Sequence, residues 1–99
     1  MKAIVVQAEG ITMKEAFRNA QKDAIYHYGN DPYNGQINNC DLGRDVTNDF
    51  EFVLAVSRDK IESAEIEFQK KWLDKTTKQE VVGYRKEKTI YVFVGWAPE

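Results

Sequence analysis

The stretch from Ile11 to Gly29 carries a complete set of helix signals and constrains the fold more than any other part of the chain. Thr12 is a typical N-cap, and Glu15 three positions later completes a capping box. Gly29 is typical of the residue at which a helix stops. One side of this helix repeats at spacings of three and four, through Phe17, Ala20, Ala24 and Tyr28. Small residues let a helix lie close to a sheet, so we expect this side to be buried.

The residues around this helix predict strands and a second helix. Residues 2–8 are rich in β-branched side chains on both faces, which is typical of a covered strand. Residues 50–56 alternate in the period of two expected of another strand, with Phe50, Phe52, Leu54 and Val56 on one face. A second helix is predicted after Asp59, with a buried side formed by Ile61, Ala64, Phe68 and Trp72. The C-terminal part predicts a hairpin that turns through Arg85 to Lys88.

These elements predict one α+β domain over residues 1–99, with two helices packed on one face of a mixed or antiparallel sheet of four to five strands. A ferredoxin-like arrangement is one form of this fold. The last strand is apolar on both faces, with Tyr91 and Phe93 on one of them. If the helices cover only one face, a second copy of the chain would have to cover the other. We therefore expect a homo-oligomer, most simply a dimer.

Composition and charge exclude several classes of function. The chain has 14 basic and 16 acidic residues and a net charge of -2, so nothing favours binding to a nucleic acid. Its first apolar run, residues 3–6, is too short for a signal peptide or a membrane span, which predicts a cytoplasmic protein without a membrane partner. One cysteine and one histidine cannot make a usual zinc site, and no phosphate-loop or dinucleotide motif is present. We expect no metal, no cofactor and no catalytic residue, with Cys40 as an inert free thiol.

The segment 27–43 concentrates turn-forming residues, amide side chains and tyrosines. Asn34 and Gly35 form a strong tight-turn dipeptide, so a structural loop is one interpretation. The other is a ligand site, because amides beside aromatic rings suit a planar, polar ligand. The candidate ligand-binding residues are Tyr26, Tyr28, Asn30, Tyr33, Asn34, Gln36, Asn38 and Arg44.

The same region resembles a group of small uncharacterised phage and prophage proteins. In that group an Ala-rich helix, here AFRNA at residues 16–20, ends in Tyr-Gly and is followed by an aromatic-(Asn or Thr)-Gly turn and an isoleucine, here YGNDPYNGQI at residues 28–37. The likeness spans residues 16–43, under a third of the chain, and the motif marks kinship rather than chemistry. It implies a virus-encoded accessory protein that acts against host defence in the cytoplasm of the host cell.

Two functions follow as hypotheses. In the first, a non-catalytic protein sequesters a small nucleotide-like defence signal through residues 26–43. In the second, it inhibits a host defence complex by binding protein, through the flank of Ile66 and Leu73 or through an exposed sheet face. The first requires a concave site lined by residues 26–40, whereas the second requires an apolar patch and no pocket. An enzyme is the third and least favoured alternative.

Overall fold

The computed structural model describes residues 2–57 and 80–99. Its elements, in chain order, are β1 (Lys2–Glu9), α1 (Met13–Tyr28), a single 3₁₀ turn (Ile37–Asn39), β2 (Asp41–Asp45), α2 (Phe50–Ser57), β3 (Glu80–Glu87) and β4 (Ile90–Ala97). The predicted α+β fold is confirmed, with two helices packed against a four-stranded mixed sheet in the described part of the chain. The second helix predicted after Asp59 lies outside the described residues.

The sheet has the strand order β1-β4-β3-β2. Strand β4 is antiparallel to both β1 and β3, and β2 is parallel to β3. Strands β1, β2 and β3 therefore run in one direction and end on the same side of the sheet. We call this side, marked by Glu9, Asp45 and Glu87, the carboxyl edge.

Helix α1 begins and ends where the sequence predicts. Thr12 Oγ1 accepts a hydrogen bond of 3.1 Å from the backbone N–H of Glu15, and Gly29 leaves the helix at a φ of +79°. Its buried residues are Ala16, Phe17, Ala20 and Ala24. The prediction that Tyr28 lies on this buried side was wrong, because Tyr28 is the last residue of the helix and is 62% exposed. Helical spacing gives the direction of a side chain but not how far the sheet extends beneath it.

Two cores lie on opposite faces of the sheet. On one face, Phe17 of α1 packs edge-on against Phe93 of β4, with ring centroids 5.6 Å apart. On the other face, Phe52 and Val56 of α2 pack with Val92 and other residues of β3 and β4. The two described helices thus cover different faces of the sheet. The predicted pair on one face was α1 and the helix after Asp59, and the second of these lies outside the described residues.

The stretch predicted as a strand at residues 50–56 is helix α2, which corrects that prediction. Asp49 caps the helix, since its Oδ1 accepts a hydrogen bond of 3.2 Å from the N–H of Phe52 and its carbonyl accepts one from Val53. The apolar residues of this stretch fit a period of two and a period of 3.6 equally well. The cap at Asp49 indicates a helix rather than a strand. The strand that precedes this helix is β2.

The hairpin also differs in detail from its prediction. Strand β3 continues to Glu87, so the turn is formed by Lys88 and Thr89 rather than by residues 85–88. Lys88 takes a φ of +37° there. Tyr91 and Phe93, which we expected a second copy to cover, are 8% and 0% exposed within one chain. The reason for expecting an oligomer therefore no longer applies.

Candidate functional site

The last turn of α1 and the loop after it carry exposed aromatic rings. The ring of His27 lies 5.0 Å from that of Tyr26 and 6.3 Å from that of Tyr28, centroid to centroid. Tyr26 is 85% exposed, and Tyr33 in the loop is 68% exposed. We call Tyr26, His27, Tyr28 and Tyr33 the tyrosine surface.

The side chain of Asn34 forms hydrogen bonds that order the loop that carries Tyr33. Its Nδ2 donates to the carbonyl of Gly29 at 3.2 Å and to Oδ1 of Asn38 at 3.1 Å. Its Oδ1 accepts from the N–H of Gln36 at 3.0 Å and from Nδ2 of Asn39 at 2.9 Å. Both atoms of this amide that can form hydrogen bonds are thus used inside the loop.

Further hydrogen bonds attach the loop to the rest of the protein. Nε2 of Gln21 on α1 donates to the carbonyl of Cys40 at 3.0 Å, and the N–H of Gly35 donates to the carbonyl of Pro98 at 2.7 Å. Gly35 has a φ of +69°, which favours glycine. Within the loop, Nδ2 of Asn39 donates to the carbonyl of Asp31 at 2.8 Å. The segment is therefore a built structure rather than a loose connection.

The structure brings together only part of the predicted ligand site. The side chain of Asn34 and the N–H of Gln36 are used within the loop, and Asn38 accepts from Asn34. Nδ2 of Asn38 is buried, has no hydrogen-bond partner among the described residues and is not accessible to a ligand. Asn30 is exposed at the end of α1. Arg44 is exposed near the carboxyl end of β2, three residues along the strand from the point where the loop enters it.

Three surface clefts formed by the described residues lie elsewhere. Their volumes are about 280, 300 and 440 Å³, and no residue of the 26–43 segment lines any of them. The 440 Å³ cleft opens at the carboxyl edge, and we call it the carboxyl-edge cleft. It is lined by Ile11, Thr12, Met13, Asp45, Thr47, Asn48, Arg85 and Tyr91.

Polar groups in the carboxyl-edge cleft are fixed by hydrogen bonds. Oδ1 of Asp45 accepts from the N–H of Thr47 at 2.9 Å and from its Oγ1 at 2.5 Å. The same Oγ1 accepts from the N–H of Arg85 at 3.0 Å, which joins the loop after β2 to strand β3. Nε of Arg85 donates to the carbonyl of Lys88 at 2.7 Å. Sequence reasoning missed this cleft because its residues come from three distant parts of the chain.

The one cysteine and the one histidine of the chain lie in different surroundings. The thiol of Cys40 is buried and points to the carbonyl of Trp96 at 3.4 Å. Burial, with a smaller contribution from the carboxylate of Asp41, raises the pKa of this thiol to about 12. Nδ1 of His27 lies 3.0 Å from the carbonyl oxygen of Asp23. A thiol with so high a pKa is a poor nucleophile near neutral pH.

The described residues contain no group of three or more side chains that could hold a metal ion. No helix in the described part of the chain is long and apolar enough to cross a membrane. Comparison with known protein families, curated proteins and solved structures finds no match to this chain.

Proposed function

We propose that this protein is non-catalytic and acts by binding a partner protein through the tyrosine surface. The observation that carries the proposal is the exposure of Tyr26, Tyr28 and Tyr33 on a segment whose amides are bonded to one another. Tyrosine is enriched at protein contacts, because its ring gives a large apolar area and its hydroxyl a hydrogen bond. Tyrosine, asparagine and glycine together are also the typical composition of antibody contact loops.

The fixed loop favours tight binding. A flexible segment loses conformational entropy when it binds, and that loss weakens the complex. Here the hydrogen bonds of Asn34 and Asn39 already order the backbone that carries Tyr33. A partner therefore has to immobilise little more than the tyrosine side chains.

A nucleotide-like ligand in this segment has less support. Such a ligand would need amide groups that are open to it and a concave wall. The side chains of Asn34, Asn38 and Asn39 instead bond within the loop, and the three clefts described above lie elsewhere. The resemblance to phage and prophage proteins supports a host protein complex as the partner, which this protein would inhibit.

Affinity capture from a bacterial extract, followed by binding measurements with the purified partner, tests the proposal. We compare the wild type with Tyr26→Ala/Tyr33→Ala, and use Phe50→Ala as a matched control because Phe50 is also exposed, at 78%, but lies on α2. The wild type and Phe50→Ala should bind with equal affinity. The double tyrosine variant should lose about 30-fold or more, as expected for two contact residues near the centre of an interface.

Two results would contradict the proposal. One is a purified partner that binds the double tyrosine variant as tightly as the wild type. The other is a nucleotide that raises the melting temperature of the wild type but not that of Tyr33→Ala. The second result would return the function to ligand sequestration.

A further inference from the structure

The carboxyl-edge cleft lies where the chain leaves the sheet in two opposite directions. After β1 it passes to α1 on one face, and after β2 it passes to α2 on the other face. In open α/β sheets, ligands commonly bind beyond the carboxyl ends of the strands. Three of the four strands here share one direction. The carboxyl-edge cleft therefore lies at the position where such ligands bind, and no residue of the tyrosine surface lines it.

Two opposite charges are held in the cleft. Oδ1 of Asp45 is fixed by both hydrogen bonds from Thr47, and the guanidinium of Arg85 is fixed through Nε by the carbonyl of Lys88. Thr47 also accepts from the backbone N–H of Arg85, so the two charged residues are connected through one hydroxyl group. Their positions are therefore set by the loop and the hairpin rather than by each other.

These two charges leave atoms available to a ligand. Among residues 2–57 and 80–99, Asp45 and Arg85 form no ion pair with each other, although both line the cleft. Oδ2 of Asp45 and the two Nη groups of Arg85 have no hydrogen-bond partner within that part of the chain. A ligand that carries an anionic and a cationic group offers a partner to each of these charges.

The rest of the cleft suits an apolar group. Ile11 and Met13 lie at the start of α1, and Tyr91 forms part of the floor. Ile11 is 78% exposed and lines the same cleft as the charged residues. An apolar ligand group placed against Ile11 and Met13 would remove this surface from water.

We propose that the carboxyl-edge cleft binds a small zwitterion, namely a free α-amino acid with an apolar side chain. Its carboxylate pairs with Arg85 and its ammonium group with Asp45. Its side chain lies against Ile11 and Met13. Because the cleft is open and its charges are exposed, a dissociation constant of about 1 mM is expected.

Titration of the ¹⁵N-labelled chain with leucine, followed by amide chemical shifts, tests this site. Saturable shifts should occur at the amides of residues 11–13, 45–48 and 85. N-acetyl-leucine lacks the ammonium group and leucinamide lacks the carboxylate, so each should bind about tenfold more weakly than leucine. Guanosine monophosphate serves as the nucleotide control.

Variants separate the site from nonspecific binding. Asp45→Asn keeps an oxygen that can accept from Thr47, and Arg85→Gln removes an exposed charge and one exposed hydrogen bond at the hairpin turn, so both should fold. Each should weaken leucine binding about tenfold, whereas Arg44→Gln, an exposed arginine outside the cleft, should bind like the wild type. The proposal is overturned if leucine gives no saturable shifts, if N-acetyl-leucine binds equally well, or if the nucleotide alone binds. Arg44→Gln losing as much affinity as Arg85→Gln would also overturn it.

Discussion

Thr12 is the residue at which the sequence and the structure agree most closely. Its hydroxyl satisfies the N–H of Glu15, one of the amides at the start of a helix that have no partner within it. Glu15 also accepts from the N–H of Ile11 at 3.4 Å. A cap can be predicted from sequence because all of its atoms lie within a few residues of one another.

We predict that Thr12→Ala lowers the free energy of unfolding by about 1 kcal/mol, because it leaves that N–H without its acceptor. Urea denaturation measures the change. Thr89→Ala is the matched control, since Thr89 is also exposed and its side chain caps no helix. Equal effects of the two substitutions would show that the cap does not stabilise α1.

Because of Cys40, the free energy of unfolding decreases at alkaline pH. Its pKa is about 12 in the folded chain against an ordinary value of 9.0, so above pH 9 the unfolded chain releases a proton that the folded chain retains. The stability is complete below that value and falls as the pH rises toward 12. Burial raises the pKa of Tyr84 as well, and this adds to the same trend.

Between pH 7 and pH 10, we predict that the wild type loses about 1 kcal/mol more stability than Cys40→Ala. Urea denaturation of both proteins at the two pH values measures the difference. The variant removes the thiol and leaves Tyr84 in place, so the difference reports the thiol alone. Parallel losses in the two proteins would contradict the raised pKa.

At the scale of elements, α1 was predicted correctly, whereas the residues of α2 were assigned to a strand. Both outcomes depend on the local signals in the sequence. The signals of α1 are local and agree with one another, whereas residues 50–56 are apolar at nearly every position and their periodicity is ambiguous. Only Asp49 marks the start of that helix. Which face a helix covers depends on strand order, which no local pattern contains.

The sequence also predicted only part of the structure of the loop that carries Tyr33. Its abundance of asparagine and glycine identified an unusual segment, but an amide that binds a ligand and one that binds the backbone look alike in a sequence. The structure resolves this for Asn34, which makes four hydrogen bonds within the loop. The carboxyl-edge cleft could not be predicted, because Thr12, Asp45 and Arg85 meet only after the sheet has formed.

We predict that Asn34→Ala lowers the free energy of unfolding by about 2 kcal/mol, because several partners lose their hydrogen bonds together. Asn38→Ala is the matched control. It removes one hydrogen bond and also a buried Nδ2 that has no partner in residues 2–57 and 80–99, so its effect should be under about 1 kcal/mol. A larger loss for Asn38→Ala would mean that the loop is not organised around Asn34.

At the scale of the whole molecule, both faces of strand β4 are covered within one chain. Phe93 is buried against α1, and Val92 on the opposite side of β4 is buried with residues of α2. The apolar strand that predicted a second copy is therefore covered within one chain. The sequence did not predict that α2 covers this face, because the residues of α2 were assigned to a strand.

We predict a monomer of 11.5 kDa by light scattering at micromolar concentration. The physical reason is that no large apolar area of β4 remains for a second copy to cover. Phe93→Ala should destabilise the monomer by about 3–5 kcal/mol through the cavity that it leaves, without creating or removing an oligomer. A wild-type dimer that Phe93→Ala dissociates would contradict this prediction.

The central position of β4 has a consequence for synthesis of the chain on the ribosome. β4 pairs with β1 and with β3, and its register joins Lys2 to Ala97. During translation, β1 and α1 leave the ribosome long before the strand that completes their core exists. Of the strand pairs in this sheet, only β2 with β3 can form before β4 is made. Until then Ile4 and Phe17 lack Phe93, so the nascent chain carries exposed apolar surface of the kind that chaperones bind.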